Sequence, residues 1–211
     1  MPHYDFEKGT ARENLCRFLA ACYYQPGPEF AEEKVFDSMF DAATRIHPDL
    51  AARARRLGEE FSAEGPESLL VDYTRLFLGP SHIIAKPYGS VWLDGEETLM
   101  QDSTMAVQEL YEEGGFEINE DFRELPDHIA AELEFLYLLI YRENEARRND
   151  DPEALTAMAG LRKRFLDEHL GSWVGPFTVA VKAGAQSGFY RELAELTDRF
   201  VKMEANGDKA P

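Results

Sequence analysis

The stretch from Leu125 to Glu143, LPDHIAAELEFLYLLIYRE, limits the possible folds more than any other part of the chain. Read at 3.6 residues per turn it is apolar on nearly every face, and such a helix is stable only when other elements surround it. Pro126 suits the first turn of this helix, and Arg147-Arg148-Asn149-Asp150 marks its exit. The rest of the chain supplies partners with matching periodicity. Leu15, Phe18, Leu19, Cys22 and Tyr23 form one helical stripe, and Phe36, Met39, Phe40 and Ala43 a second. Leu50, Ala54, Leu57 and Phe61 make a third, and Leu69, Leu70, Tyr73, Leu76 and Phe77 a fourth. Later stripes run through Ala106, Val107, Leu110 and Tyr111, then Leu155, Met158 and Phe165, and finally Phe189, Leu193, Leu196 and Phe200. No stretch before Gly79 alternates with a period of two. The reading is an all-α, single-domain bundle of about eight to ten helices over residues 1–204, with 205–211 as a disordered tail.

Local signals set the expected boundaries. Thr10-x-x-Glu13 reads as a capping box that opens the first helix. Gly65-Pro66 separates the third stripe from the fourth, and Gly114-Gly115 ends the helix that Asp102 or Ser103 opens. Asp151-Pro152-Glu153 combines an N-cap, a proline in the first turn and an acid at the positive end of the helix dipole. Gly79-Pro80 stops the fourth helix, because proline cannot continue the hydrogen-bond ladder. The connection that follows is unusual. Ile83, Ile84, Pro87, Tyr88, Val91 and Trp92 make it apolar and aromatic without a helical period, so it must pack across the body of the protein or receive a ligand.

Composition narrows the function. An apolar fraction of 44% is ordinary for a globular protein. The longest apolar run, Phe135 to Tyr141, is far shorter than the roughly 20 residues of a membrane span. The N-terminus MPHYDFEKGT has neither the basic start nor the apolar centre of a secretory signal, which points to the cytoplasm. Cys16 and Cys22 fall on different faces of one helix and read as reduced core thiols. A net charge of −18 argues against nucleic-acid binding and favours a basic partner, although an acidic surface also serves solubility alone.

Few residues suggest catalysis. His128 and Glu132 lie four apart and share a helix face, but a metal site needs three or four convergent ligands and no H-E-x-x-H pattern is present. A histidine held by a neighbouring carboxylate fits better. Asp127 suits a helix N-terminus through the dipole and free N–H groups. Trp173 opens a helix that must pack and reads as a core anchor. Neither a nucleophile elbow nor a phosphate-binding glycine loop occurs.

Several blocks taken together carry a resemblance. Tyr73-x-x-Leu76-Phe77-x-Gly79-Pro80 is followed by Pro87-x-x-Ser90-x-Trp92, Asp94 and Asp102-Ser103. Pro126-Asp127-His128 then precedes Glu132-Leu133-Glu134-Phe135, and His169-Leu170-x-x-Trp173-x-x-Pro176-Phe177 and Phe189-Tyr190 close the series. Over roughly residues 10 to 203 the chain resembles the TorD/DmsD family of redox-enzyme maturation chaperones. Trp92 stands where that family more often has tyrosine, and Tyr88 where tryptophan is common. The resemblance implies a cytoplasmic, non-enzymatic chaperone without a cofactor of its own. Its partners would be the twin-arginine signal peptide and the apo-form of a molybdopterin oxidoreductase of the DMSO-reductase type. Such a chaperone aids cofactor insertion and delays export, as a monomer or homodimer, with no nucleic acid and no stable membrane insertion.

A receptor for a basic, apolar peptide needs carboxylates beside an aromatic groove, since carboxylates hold arginine bidentately. The expected peptide-binding residues are Leu76, Phe77, Tyr88, Ser90, Trp92, Asp94, Asp127, His128 and Glu132. Two rival readings are a helical metal-dependent hydrolase using His82, His128 and Glu132, and an assembly subunit of a respiratory nitrate reductase. Members of the latter group tend to lack the Gly79-Pro80 and Pro87-x-x-Ser90 blocks.

Overall fold

The computed structural model describes residues 4–27, 30, 34–79, 82–95, 100–118 and 124–207. Within them lie nine α-helices and no β-strand. They are α1 (Phe6–Ala21), α2 (Val35–Ile46), α3 (Pro48–Tyr73), α4 (Gly89–Leu93), α5 (Asp102–Gly114), α6 (Ile129–Arg148), α7 (Pro152–Glu168), α8 (Leu170–Gly184) and α9 (Gly188–Asn206). The sequence expectation of an all-α bundle is met. No described helix is long and apolar enough to cross a membrane.

The main packing partners form a closed circuit: α6 on α1, α1 on α2, α2 on α3, α3 on α9, α9 on α8, α8 on α7, and α7 back on α6. One continuous apolar core joins them. Its aromatic spine runs from Tyr23 through Phe77 and Phe177 to Trp173, with edge-on or tilted ring contacts at 5.4 to 6.2 Å between centroids. The helix from Leu125 is therefore one wall of the circuit rather than a column enclosed on all sides. Leu133, Phe135, Leu136, Leu139 and Ile140 are buried, whereas Tyr137, Leu138 and Tyr141 are only half-buried.

Several boundaries differ from the sequence reading. Helix α1 opens at Phe6, one turn before Thr10, because Asp5 accepts a hydrogen bond from the Lys8 amide at 3.0 Å. Thr10 and Glu13 then lie inside the helix, and Glu13 accepts from Asn144 of α6 at 2.6 Å. Phe40 faces solvent at 36% exposure, although Phe36, Met39 and Ala43 of its stripe are buried. Gly65 interrupts α3 with φ 73° and ψ 160°, and Pro66 restarts it. Asp151 caps α7 as expected, accepting from the Ala154 amide at 2.9 Å. Helix α9 continues through Ala205 and Asn206, and residues 208–211 of the expected tail lie outside the described residues.

The end of α3 widens into a π-helical turn, Thr74–Leu78, that positions the connection. A turn of this kind places one extra residue in the helix and is common where a helix must be re-aimed. Gly79 then takes φ 42°, and a Cβ there would lie 2.3 Å from the His82 carbonyl oxygen. Only glycine allows the chain to double back so tightly. The reversal lets the Ala85 amide donate to the Leu76 carbonyl at 3.0 Å.

Candidate functional site

From this reversal, residues 82–95 form a strap across the start of α6. The strap is pinned by backbone pairing: the Ile129 amide donates to the Pro87 carbonyl and the Gly89 amide to the Asp127 carbonyl, both at 2.8 Å. Tyr88 and His128 are thus bridged in antiparallel fashion, with their rings edge-on at 5.4 Å. Asp127 adds a side-chain tie, its Oδ2 accepting from the Ser90 amide at 2.9 Å. On the outer side, the Tyr88 hydroxyl donates to Glu124 and the Ser103 hydroxyl to Asp94. Trp92 folds back over the strap, donating from Nε1 to the Lys86 carbonyl at 2.9 Å while its ring meets Phe177 at 6.3 Å.

Beneath the strap lies Glu132, fully buried, with Oε2 accepting from the Trp173 indole N–H at 3.0 Å. Gly89 sits directly on this pair: a Cβ there would be 2.9 Å from Trp173 Nε1 and 3.0 Å from Glu132 Oε1. Burial raises the Glu132 carboxyl well above its ordinary range; the Trp173 bond opposes the shift and Asp127 adds to it. Burial likewise lowers His128 to about 4, against the upward pull of Glu124 and Asp127. A neutral imidazole is what the local geometry needs, because His128 Nδ1 accepts from the Ala130 amide at 3.2 Å and caps α6. Glu132 Oε1, Asp127 Oδ1 and Ser90 Oγ are all buried without a hydrogen-bond partner among the described residues. Buried polar atoms rarely stay unpartnered.

The nine residues expected at a peptide site separate into three groups. Tyr88, Ser90, Asp127, His128 and Glu132 come together at the strap crossing. Trp92 and Asp94 lie on its outer part, Trp92 half-buried and Asp94 exposed. Leu76 and Phe77 belong to the core, at 0% and 3% exposure, on the same inward face as Leu69 and Tyr73. Phe77 packs against Tyr23, Tyr73, Phe177 and Tyr190, so neither residue lines a surface groove. Two further expectations are corrected. Pro126-Asp127 precedes the helix instead of opening it, with His128 as the cap. Ser90 and Trp92 lie on a short helix, α4, and not in an aperiodic connection. Trp173 is buried as expected, and it also pairs with Glu132, 41 positions away, a contact for which the sequence carries no local signal. His82 is exposed, and no three His, Cys, Asp or Glu side chains among the described residues converge as metal ligands.

A second polar cluster ties α1, α6, α7 and α9 at another end of the molecule. Arg12 pairs with Glu204, and Arg162 reaches both Glu143 and Glu204. An open groove of about 1030 Å³ runs between α2 and α3 past Phe30, Phe40, Phe61 and Pro66, and none of the nine residues lines it.

Over the described residues the architecture is a helical bundle with buried carboxyls covered by a strap, and comparison with known proteins gives the family. A family model described as the nitrate reductase delta subunit matches residues 41–179. The chaperone protein TorD of Vibrio atlanticus is 31% identical over 169 residues, covering 80% of this chain and 71% of that protein. The Tat proofreading chaperone DmsD of Salmonella typhi is 33% identical over 136 residues, covering 64% of this chain and 60% of that protein. A crystallised chain described as a candidate redox enzyme maturation protein, from Archaeoglobus fulgidus, shares the fold with a TM-score of 0.53 at 24% identity, over 90% of this chain and 93% of its own. The chain belongs to the TorD/DmsD family of redox-enzyme maturation chaperones.

Proposed function

We propose that this chain is a cytoplasmic chaperone that binds the twin-arginine signal peptide and apoprotein of a molybdenum-cofactor oxidoreductase, aiding cofactor insertion and delaying export. The observation that carries the reading is the strap crossing. It sets two buried carboxyls, Asp127 and Glu132, beside the aromatic residues Tyr88 and Trp173, with Trp92 on the outer part of the same strap. A twin-arginine peptide presents guanidinium groups followed by an apolar stretch, and that order of chemistry matches acids flanked by aromatic surface. The net charge of −18 adds long-range attraction for a basic segment. Relatives named TorD and DmsD support the chaperone role and the export-linked client. The nitrate reductase reading is the weaker one, because the full Gly79-Pro80 and Pro87-x-x-Ser90 blocks are present.

Titration calorimetry with a synthetic peptide carrying an Arg-Arg pair ahead of an apolar stretch tests the proposal. Trp92→Ala should weaken binding by at least tenfold while the melting temperature changes little, since aromatic anchors at interfaces commonly contribute ~2 kcal/mol or more. Phe40→Ala, in the separate groove, should leave affinity unchanged. If Phe40→Ala abolishes binding and Trp92→Ala does not, the peptide site lies between α2 and α3.

A further inference from the structure

The buried carboxyls of this protein fall into two classes. Glu13, Asp72, Asp127, Glu132, Glu143 and Glu204 are each at most 7% exposed. Four of them are paired with an arginine: Glu13 with Arg148, Asp72 with Arg75, Glu143 with Arg147 and Arg162, Glu204 with Arg12 and Arg162. Asp127 and Glu132 have no Lys or Arg partner among the described residues, although they lie close enough to repel one another. Each of these two acids accepts from a single donor, the Ser90 amide or the Trp173 indole, and leaves its other oxygen unpartnered. Among the described residues, the other buried acids follow the rule that a buried acid is paired. The exception is confined to the ground beneath the strap.

We propose that the strap of residues 82–95 is a hinged cover over a cation-receiving site, and that seating a guanidinium against Asp127 and Glu132 lifts the strap and releases one proton from Glu132. The inference rests on the peptide reading for the source of the guanidinium, and adds where it goes and what it displaces. In the closed form two adjacent carboxyls without a cation cannot both be charged, so the more buried one, Glu132, keeps its proton. An arriving guanidinium supplies the missing charge; the proton passes to solvent, and the carboxylate oxygens freed on both acids accept from the guanidinium N–H groups. The other groups facing this ground do not supply that charge. His128, preceding α6, and His169, at the junction of α7 and α8, are both lowered by burial. The Tyr111 phenol of α5 is raised and donates to the Pro126 carbonyl. Trp173 and Ser90 carry no charge. Glu132 is fully buried and Gly89 sits directly on its bond with Trp173, so a guanidinium reaches this carboxyl only if the strap moves away.

The test has two arms on the full chain. In the first, the Arg-Arg peptide is titrated in buffers of different ionisation enthalpy between pH 6 and 8. Wild type should release about one proton, with affinity tightening up to tenfold per pH unit by linkage. Glu132→Gln, which mimics the neutral acid and keeps an acceptor for Trp173, should bind with neither proton release nor pH dependence. Binding without proton release in wild type, or release that persists in Glu132→Gln, overturns the proposal. The second arm needs no peptide. Hydrogen-exchange protection of the Gly89 and Ile129 amides should fall at least tenfold from pH 6 to 9 in wild type and stay constant in Glu132→Gln. Gly89→Ala, whose methyl presses on Trp173 and Glu132, should lower protection of Ile129 already at pH 6. Constant protection in wild type overturns the hinged cover. A pH-responsive strap together with no peptide binding keeps the cover and overturns the peptide reading.

Discussion

His128 makes the stability of this fold depend on pH in a calculable way. Its imidazole is 4% exposed and caps α6 through Nδ1. Burial lowers it from an ordinary value of 6.5 to about 4. A group depressed in the folded state stabilises the fold above its unfolded value, and that contribution is lost as pH falls toward the folded value. The window is therefore pH 6.5 down to about 4, where the unfolded chain takes up a proton that the folded chain refuses. At 1.36 kcal/mol per unit, the loss attributable to this residue is about 3 kcal/mol. His128→Asn retains a capping side chain, since asparagine is among the preferred N-caps, but does not titrate. Urea denaturation followed by tryptophan fluorescence should be run on both proteins from pH 7.5 to 4. His169, also lowered by burial, is present in both and cancels in the comparison. Relative to the variant, wild type should lose about 3 kcal/mol across the window. Parallel curves would mean that the fold does not hold this imidazole neutral, and the account of the cap would be wrong.

Glu132 should give the opposite limb. Its carboxyl is raised by burial, so its contribution is present at acid pH and fades as pH climbs above the ordinary 4.5; Glu132→Gln should flatten the alkaline side of the stability profile in the same denaturation series. Leu136→Ala, at a fully buried position of α6, should cost about 2–5 kcal/mol through the cavity it leaves, measured by the urea midpoint. Arg162→Met removes one of two arginine partners from Glu143 and from Glu204, and losing these charged hydrogen bonds while Arg147 and Arg12 remain should cost about 1–3 kcal/mol; a loss under ~0.5 kcal/mol, the scale of an ordinary surface substitution, would show that water reaches this cluster freely. Affinity for the Arg-Arg peptide should weaken as salt rises, because exposed charges are screened within about 10 Å at 0.1 M; a flat calorimetric response would leave apolar contacts as the whole of the attraction.

Much of the fold could be read from the sequence because helical stripes are local signals. The buried positions of α3 and α9, and the Asp151 cap of α7, follow from spacing alone. Failures occurred where tertiary contacts override a local preference. The stripe through Leu76 and Phe77 marks an inward face, which excludes them from a surface groove, whereas the widened turn at Thr74–Leu78 has no sequence signal of its own. Pro126 suggests a helix start three residues early, because the backbone pairing of Pro87 and Gly89 with residues 127–129 claims that turn instead. Of the candidate site, the residues were legible and their arrangement was not. Asp127, His128 and Glu132 announce themselves by type and position, whereas the bond from Trp173 to Glu132 joins distant segments and becomes visible only in three dimensions.

The ion pair between Arg12 and Glu204 bears on how the molecule is made. It joins the first helix to the last across 192 positions, and Arg162 of α7 donates to the same terminal glutamate. Helix α9 also closes the circuit between α3 and α8. While a ribosome is still translating residues before Glu204, Arg12 and Arg162 lack their shared acid, and the apolar faces of α3 and α8 stand open. Long-range closure of this kind is slow, because the entropy of the intervening chain is lost before the contact forms. The nascent chain is thus exposed to aggregation until its final helix emerges. The apolar faces that α9 covers therefore close only after its own residues have been made.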